Sequence, residues 1–174
     1  DFCGMKSFGR VDVPASYRDE GVSDTDLLLI VSARPTSGGV AAFAIACETD
    51  ELGRPTVAQL NVSPRSIRAA PTTRDAVMII LHEMIHALGF NSDMFEQLGV
   101  VDSFTASTGA KDTTRFLHTG AEVKRVAREL YDCPTMQGMP LEDGGTVATQ
   151  ASHWEERIAV GEVMIGRALR PAAL

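Results

Sequence analysis

The chain has few of the residues that most often build metal and redox sites. Its 174 residues include 4 histidines, 3 cysteines and 1 tryptophan, and aromatic side chains make up only 6%. The three cysteines match no zinc-cysteine spacing and leave at least one thiol unpaired within the sequence, which excludes a dense disulfide scaffold. The fold must therefore rest on a hydrophobic core, for which a chain of this length with 44% apolar residues is sufficient.

Long apolar runs and an excess of positive charge are also missing. The longest apolar runs, around residues 27–31 and 76–81, are much shorter than a membrane span. Sixteen basic against 23 acidic residues give a net charge of −7, which argues against nucleic acid or an anionic membrane as a partner. The N-terminus has no signal-peptide pattern, and its abrupt start indicates a fragment of a longer precursor.

The most informative motif is the HExxH sequence at residues 82–86 (HEMIH), which Gly89 follows three residues later. On a helix, positions i and i+4 lie on one face, so His82 and His86 can reach a single zinc ion. Glu83 lies about 100° further around the helix, where its carboxylate can act on a water molecule without binding the metal. The alternative is a core helix with two hydrogen-bonded histidines and a solvated glutamate. The residue types at this spacing favour a zinc hydrolase.

A catalytic zinc ion needs a third protein ligand. In the metzincin pattern a histidine follows the glycine by three residues, but this position is Ser92, which binds zinc poorly. The other histidines are His118, which equally suits a surface position before a helix, and His153. Met164 lies shortly after His153, as the methionine of the tight turn lies after the third histidine in metzincins. We therefore favour His153, with His118 or a thermolysin-type glutamate as the alternatives.

The first half of the chain predicts three strands followed by the helix that carries the motif. Residues 1–24 are predicted to be mostly loop, residues 26–33 a strand buried on both faces, residues 40–47 a second strand and residues 56–62 a half-exposed or edge strand. Thr72 or Thr73 is expected to cap the motif helix. Its apolar stripe indicates a largely buried helix and comprises Val77, Ile80, Leu81, Met84, Ile85 and Leu88. Strands followed by a packed helix predict an α+β lobe.

The second half has weaker signals. Residues 90–115 predict a surface insertion with one short helix near residues 94–98, and residues 119–122 (TGAE) predict a capping box that opens a helix through about Tyr131. Residues 133–149 predict a loop. The expected organisation is an N-terminal sheet-plus-helix lobe at residues 1–90. Residues 91–174 then form an insertion and a partial C-terminal lobe with the third ligand and the methionine turn.

Several stretches together resemble the leishmanolysin (invadolysin-type) family of metzincin zinc metalloproteases, in which an insertion displaces the third histidine. They are residues 24–37 (DTDLLLIVSARPTS), 81–90 (LHEMIHALGF), 133–145 (CPTMQGMPLEDGG) and 152–157 (SHWEER). The resemblance implies one zinc ion bound by His82, His86 and His153, Glu83 as the catalytic carboxylate, and a structural methionine turn at Met164.

The family resemblance also implies a fold, an activity and a location. The fold is an α+β metzincin-like core, with a small mixed sheet packed on the active-site helix, an insertion before the third zinc histidine and a truncated C-terminal part. The activity is that of a zinc endopeptidase acting on proteins or peptides, which pair with the edge strand at residues 56–62. The location is extracellular or at the cell surface, with membrane association only through regions outside this chain. The alternative function is an inactive surface adhesion or binding module that keeps the zinc-protease fold.

Two further expectations concern the cysteines and the C-terminus. The resemblance implies a disulfide between Cys3 and Cys47 and leaves Cys133 unpaired. Family members continue beyond the methionine turn, so we expect apolar surface around Met164 and Ile165 to be exposed here. We also expect the fragment to bind zinc but to be poorly active on its own.

Overall fold

A computed structural model describes residues 2–3, 11–107, 109, 112–146 and 149–167. The chain contains two compact units, of which unit 1 runs up to Gly89 and unit 2 begins at Phe90. The functional division into two lobes stays a prediction. The elements of unit 1 are β1 (Phe2–Cys3), β2 (Val11–Asp12), α1 (Ala15–Asp19), β3 (Leu28–Ser32), β4 (Ala42–Thr49), β5 (Pro55–Val62), α2 (Pro64–Ala69) and α3 (Thr73–Ala87).

The main sheet of unit 1 is mixed and has the order β3-β5-β4. Strand β3 runs parallel to β5, and β4 runs antiparallel to it. The prediction of an edge strand at residues 56–62 is therefore wrong, because β5 is the central strand and residues 58–61 are all buried. The polar residues that suggested a wet face are held inside: the Asn61 side chain accepts hydrogen bonds from Ser32 Oγ at 2.8 Å and from the Arg34 N–H at 2.9 Å.

Strand β3 forms within the predicted range, but it is not buried on both faces. It is an outer strand of this three-stranded sheet, and Val31 keeps 64% of its surface exposed. A continuous apolar run does not distinguish a central strand from an outer one.

Helix α3 packs against β4 and β5, so the expected arrangement of a mixed sheet on the motif helix is confirmed. The expected burial of the helix is wrong. Only Glu83 and Ala87 are buried in α3, whereas Val77 and Leu88 at the two ends of the apolar stripe are 54% and 63% exposed. The face of the helix that carries Glu83 lies toward the sheet. The prediction failed because helical periodicity reveals an apolar stripe but not the direction in which the helix packs.

Unit 2 consists of α4 (Ser92–Gln97), β6 (Val101–Ser107), β7 (Asp112–His118), α5 (Ala121–Leu130) and β8 (Met139–Leu141). Its three strands form an antiparallel sheet in the order β6-β7-β8. The short helix in the insertion is confirmed, but the β6–β7 hairpin and β8 were not predicted. Their sequences are rich in Ser, Thr and Asp or very short, so the strands depend on cross-strand pairing rather than on local propensity.

Helix α5 begins after Gly120, and no side chain caps it. The predicted capping box at residues 119–122 is therefore wrong. The helix starts one residue later than a Thr119 cap requires, so the Thr119 hydroxyl is out of register with the N–H groups of the first turn. No helix in the described part of the chain is both long and apolar enough to cross a membrane.

Candidate metal centre

The motif helix α3 has clear start and stop signals. Thr72 and Asp75 form a capping box, in which the Asp75 N–H donates to Thr72 Oγ1 at 3.2 Å and the Thr72 N–H donates to the Asp75 carboxylate at 3.0 Å. The helix ends at Ala87 because Gly89 adopts a φ of 108°, a conformation that residues with a side chain avoid. Between these signals the backbone is regular, so the i and i+4 positions of the motif share one face.

The two motif histidines meet on that face. Their Nε2 atoms are 3.1 Å apart, and the imidazole planes are inclined at 83° with ring centres 4.7 Å apart. Two nitrogens that bind one tetrahedral zinc ion at about 2.0–2.1 Å lie about 3.3 Å from each other. The spacing of His82 and His86 therefore fits two ligands of a single zinc ion.

Glu83 lies on the side of α3 that faces the sheet. It is 7% exposed, and the backbone N–H of Ala44 in β4 donates a hydrogen bond to its carboxylate. Burial disfavours the charged form and raises the pKa of Glu83 to about 7, although the bond from Ala44 opposes the shift. A carboxyl group with this pKa can both accept and release a proton near neutral pH.

His153 belongs to unit 2 and is 6% exposed. Its Nδ1 lies 3.1 Å from the Thr149 carbonyl oxygen and 3.2 Å from Ser152 Oγ. A carbonyl oxygen can only accept, so this contact places the imidazole proton on Nδ1 and the lone pair on Nε2. Metal-binding histidines commonly donate their second N–H to a carbonyl or carboxylate in this way. The environment of His153 therefore favours the tautomer that binds a metal through Nε2.

The methionine turn is fully packed within unit 2. Met164 and Ile165 are each 3% exposed, so the expectation of exposed apolar surface around them is wrong. The reason is local pairing: the Trp154 N–H donates to the Met164 carbonyl at 2.8 Å, and Trp154 and Ile165 form a parallel β-bridge. The chain after the turn thus lies against the segment that carries His153.

The alternative ligand His118 occupies a different environment. It ends β7 and is 8% exposed, which corrects the expectation that it suits a surface position. Its ring packs edge-on against Phe95, with ring centres 4.6 Å apart, and its Nδ1 accepts a bond from the Gly120 N–H at 3.3 Å. Burial lowers the pKa of His118. Ser92 is the first residue of α4 and offers no metal-binding group.

The cysteines partly match the expectations. Cys133 is a free thiol, as predicted. The predicted disulfide between Cys3 and Cys47 stays a prediction, because the side chain of Cys3 lies outside the described residues.

Each unit contains side chains that could bind a metal ion in the described part of the chain. In unit 1 these are the imidazoles of His82 and His86. In unit 2 they are the imidazole of His153 and, close to one another, the carboxylates of Glu142, Asp143 and Glu155. Side-chain patterns in the sequence predict the histidines but not the groups that orient them. The Ala44 N–H and the Thr149 carbonyl are backbone groups, and no side-chain pattern indicates them.

Comparison with known proteins identifies the family. The family model described as leishmanolysin (peptidase M8) matches residues 1–170. The chain belongs to the leishmanolysin family. It is 35% identical over 161 residues to a leishmanolysin homolog of Crithidia fasciculata. The matched region covers 91% of this chain and 24% of that protein.

Other relatives give the same result. Leishmanolysin of Leishmania major is 32% identical over 90% of this chain and 26% of its own length. The ciliated left-right organizer metallopeptidase of Mus musculus is 32% identical over 83% of this chain and 23% of its own length. The chain thus spans about a quarter of the length of these leishmanolysin relatives.

Proposed function

We propose that the chain carries the zinc site of a metalloendopeptidase, with His82, His86 and His153 as the ligands and Glu83 as the catalytic carboxylate. The observation that carries the proposal is on α3, where two imidazole Nε2 atoms converge to 3.1 Å beside a buried carboxyl group whose pKa is raised to about 7. Membership of the leishmanolysin family and the metal-binding tautomer of His153 support it.

The residues of the proposed site have separate roles in hydrolysis. A bound zinc ion would lower the pKa of a coordinated water to about 7 and polarise the scissile carbonyl. The Glu83 carboxylate accepts a proton from the attacking water and then donates it to the departing amine. The bond from the Ala44 N–H holds this carboxylate in one orientation. The Thr149 carbonyl keeps the His153 proton on Nδ1 throughout.

Strand β4 replaces residues 56–62 as the proposed substrate edge. It is an outer strand of the main sheet in unit 1, and the Ala44 N–H points away from β5 toward Glu83. An extended peptide that adds to the outer edge of β4 would therefore run beside the catalytic carboxylate. We propose proteins or peptides as substrates and, on the family relationship, a location at the cell surface or outside the cell.

The alternative of an inactive adhesion or binding module fits Glu83 less well. A buried carboxyl group beside two histidines costs stability, because burial penalises its charged form. A module without catalysis gains nothing from that cost.

The test measures zinc content and peptidase activity in the same variants. Glu83→Gln keeps the shape of the side chain but removes proton transfer, so we expect full zinc content with activity lowered at least about a hundredfold. His153→Ala is expected to lose zinc, and the matched control His118→Ala is expected to keep it. Casein cleavage and metal analysis by mass spectrometry provide the two readouts. Loss of zinc in His118→Ala together with full zinc in His153→Ala would overturn the ligand assignment.

A further inference from the structure

Four charged side chains in unit 2 form an ion cluster around the segment that follows His153: Arg115, Asp143, Glu155 and Arg157. The central contact is a two-pronged pair, in which Arg157 Nε donates to Glu155 Oε1 at 2.6 Å and Arg157 Nη2 donates to Glu155 Oε2 at 2.8 Å. The Glu155 side chain is 6% exposed. Such parallel guanidinium–carboxylate bonds fix orientation as well as distance.

Asp143 connects this pair to the sheet of unit 2. Its carboxylate accepts from Arg157 Nη2 at 3.2 Å and forms a salt bridge with Arg115 of β7. The cluster therefore joins β7, the turn after β8, and the residues directly after His153. Backbone bonds run alongside it: the Glu142 N–H donates to the His153 carbonyl, and the Glu155 N–H donates to the Pro140 carbonyl, both at 2.9 Å.

The cluster is poorly suited to two simpler roles. The carboxylates of Glu142, Asp143 and Glu155 lie close enough to hold a cation, but two guanidinium groups already compensate the charges of Asp143 and Glu155. A contribution to stability alone is also a weak explanation. Arg157 is 62% exposed, and ion pairs with an exposed partner contribute little to the free energy of unfolding.

We propose that the ion cluster positions His153 for metal binding, with Glu155 and Arg157 as positioning residues. This inference rests on the proposed zinc site. A single imidazole on a loop segment can rotate away from a metal, and a directional pair two residues further along restricts the backbone that carries it. The effect should therefore fall on metal affinity more than on folding.

The test compares zinc affinity with stability. Glu155→Gln removes the charge at nearly constant shape, and Arg157→Lys keeps the charge but loses the two-pronged geometry. Control variants Arg125→Lys and Glu129→Gln disturb the pair between Arg125 Nη1 and Glu129 Oε1, which is 2.9 Å long and exposed on α5. Zinc Kd is measured by chelator competition at 25 °C with chains that circular dichroism shows to be folded, and urea midpoints are measured for the metal-free forms.

We expect Glu155→Gln to raise the zinc Kd about ten- to a hundredfold, the range seen when groups that orient metal ligands are removed. Arg157→Lys should raise it by a smaller factor and alter the visible spectrum of the cobalt-substituted chain. The α5 controls should leave both unchanged. In a His153→Ala background, Glu155→Gln should have no further effect on residual metal affinity, because the group that it positions is gone.

Two results would overturn the inference. One is an unchanged Kd and cobalt spectrum in both Glu155→Gln and Arg157→Lys, whatever the shift in the urea midpoint. The other is an equal loss of affinity from Glu155→Gln with and without His153. Failure of the unmodified chain to bind zinc would instead overturn the proposed function, so the two failures are distinguishable.

Discussion

His118 shows how burial changes the behaviour of a single residue. The sequence places it before a helix, but the structure places it against Phe95 and Trp154, with ring centres 4.6 and 5.8 Å away. Its Nδ1 accepts a backbone hydrogen bond, so the neutral ring is the form that the site holds. His118, an alternative zinc ligand in the sequence analysis, is thus a buried residue packed among aromatic rings in the fold.

The lowered pKa of His118 predicts a pH effect on stability. Because burial holds the folded pKa below the unfolded value of about 6.5, the unfolded chain takes up the proton first. The contribution of neutral His118 to the free energy of unfolding is therefore complete above pH 6.5 and is lost as the pH falls from there through the folded pKa.

Urea unfolding of the unmodified chain and of His118→Gln between pH 5 and 8 measures this contribution. The difference between the two chains should shrink as the pH falls. The comparison is necessary because Glu83, whose pKa is raised to about 7, has the opposite pH dependence. Its contribution to the free energy of unfolding is lost as the pH rises, and this loss is common to both chains. A constant difference across the range would contradict the expected role of His118.

At the scale of elements, the success of sequence prediction depended on how local the signal is. Helix α3 was predicted from Thr72 at one end and Gly89 at the other, and the structure places His82, Glu83 and His86 of the HExxH motif on that helix. Their roles in a metal site stay a proposal. The position of β5 in the sheet was missed because strand order depends on partners that are distant in sequence. The same applies to the β6–β7 hairpin.

The site divides in the same way. His153 was predicted as a ligand from the methionine that follows it, Met164, and from the family resemblance, since more than sixty residues separate it from His86 and no periodicity connects them. Its role stays a proposal. The Ala44 N–H that holds Glu83 could not be found from sequence, because a backbone donor carries no signal in the side-chain pattern. Arg157 and Asp143 could have been suspected as charges near His153, but not their mutual contacts.

The capping box of α3 gives a prediction for this helix. Thr72→Ala removes the oxygen that accepts from the Asp75 N–H, so the free energy of unfolding should fall by about 1 kcal/mol. Zinc affinity should stay the same, because the lost bond lies about two to three turns before His82. Thermal unfolding and chelator competition measure the two effects. Thr73→Ala, one residue later and without the capping role, is the control, and an equal loss of stability there would argue against the cap.

At the scale of the whole molecule, we expect the exposed apolar stripe of α3 to influence association in solution more than the net charge of −7 does. Val77, Leu81, Met84 and Leu88 are between 41% and 63% exposed and lie along one face. Contiguous exposed apolar surface of this kind promotes association in solution. The stripe was expected to form part of the core, where substitutions would lower the free energy of unfolding. Because the stripe is exposed, substitutions there should instead reduce association and leave stability nearly unchanged.

The double variant Val77→Lys/Leu88→Lys tests this reversal. Because both side chains are more than half exposed, the free energy of unfolding should change by less than about 0.5 kcal/mol for each substitution. Light scattering should show less association at high concentration. Leu60→Ala is the contrasting variant: Leu60 is 2% exposed in β5, and its truncation should cost about 2–5 kcal/mol. A cost of that size in the double variant would mean that the stripe belongs to the core.

The central position of β5 also affects how fast backbone amide hydrogens exchange with solvent. Residues 58–61 are buried and lie between two paired strands, so their amide hydrogens can exchange with solvent only when the sheet of unit 1 opens. The Ala44 N–H, on an outer strand and held by the Glu83 side chain alone, needs only a local movement to become accessible. Slowly and rapidly exchanging protons of the sheet are thus expected on neighbouring strands, and the Glu83 carboxylate accepts its hydrogen bond from one of the rapidly exchanging protons.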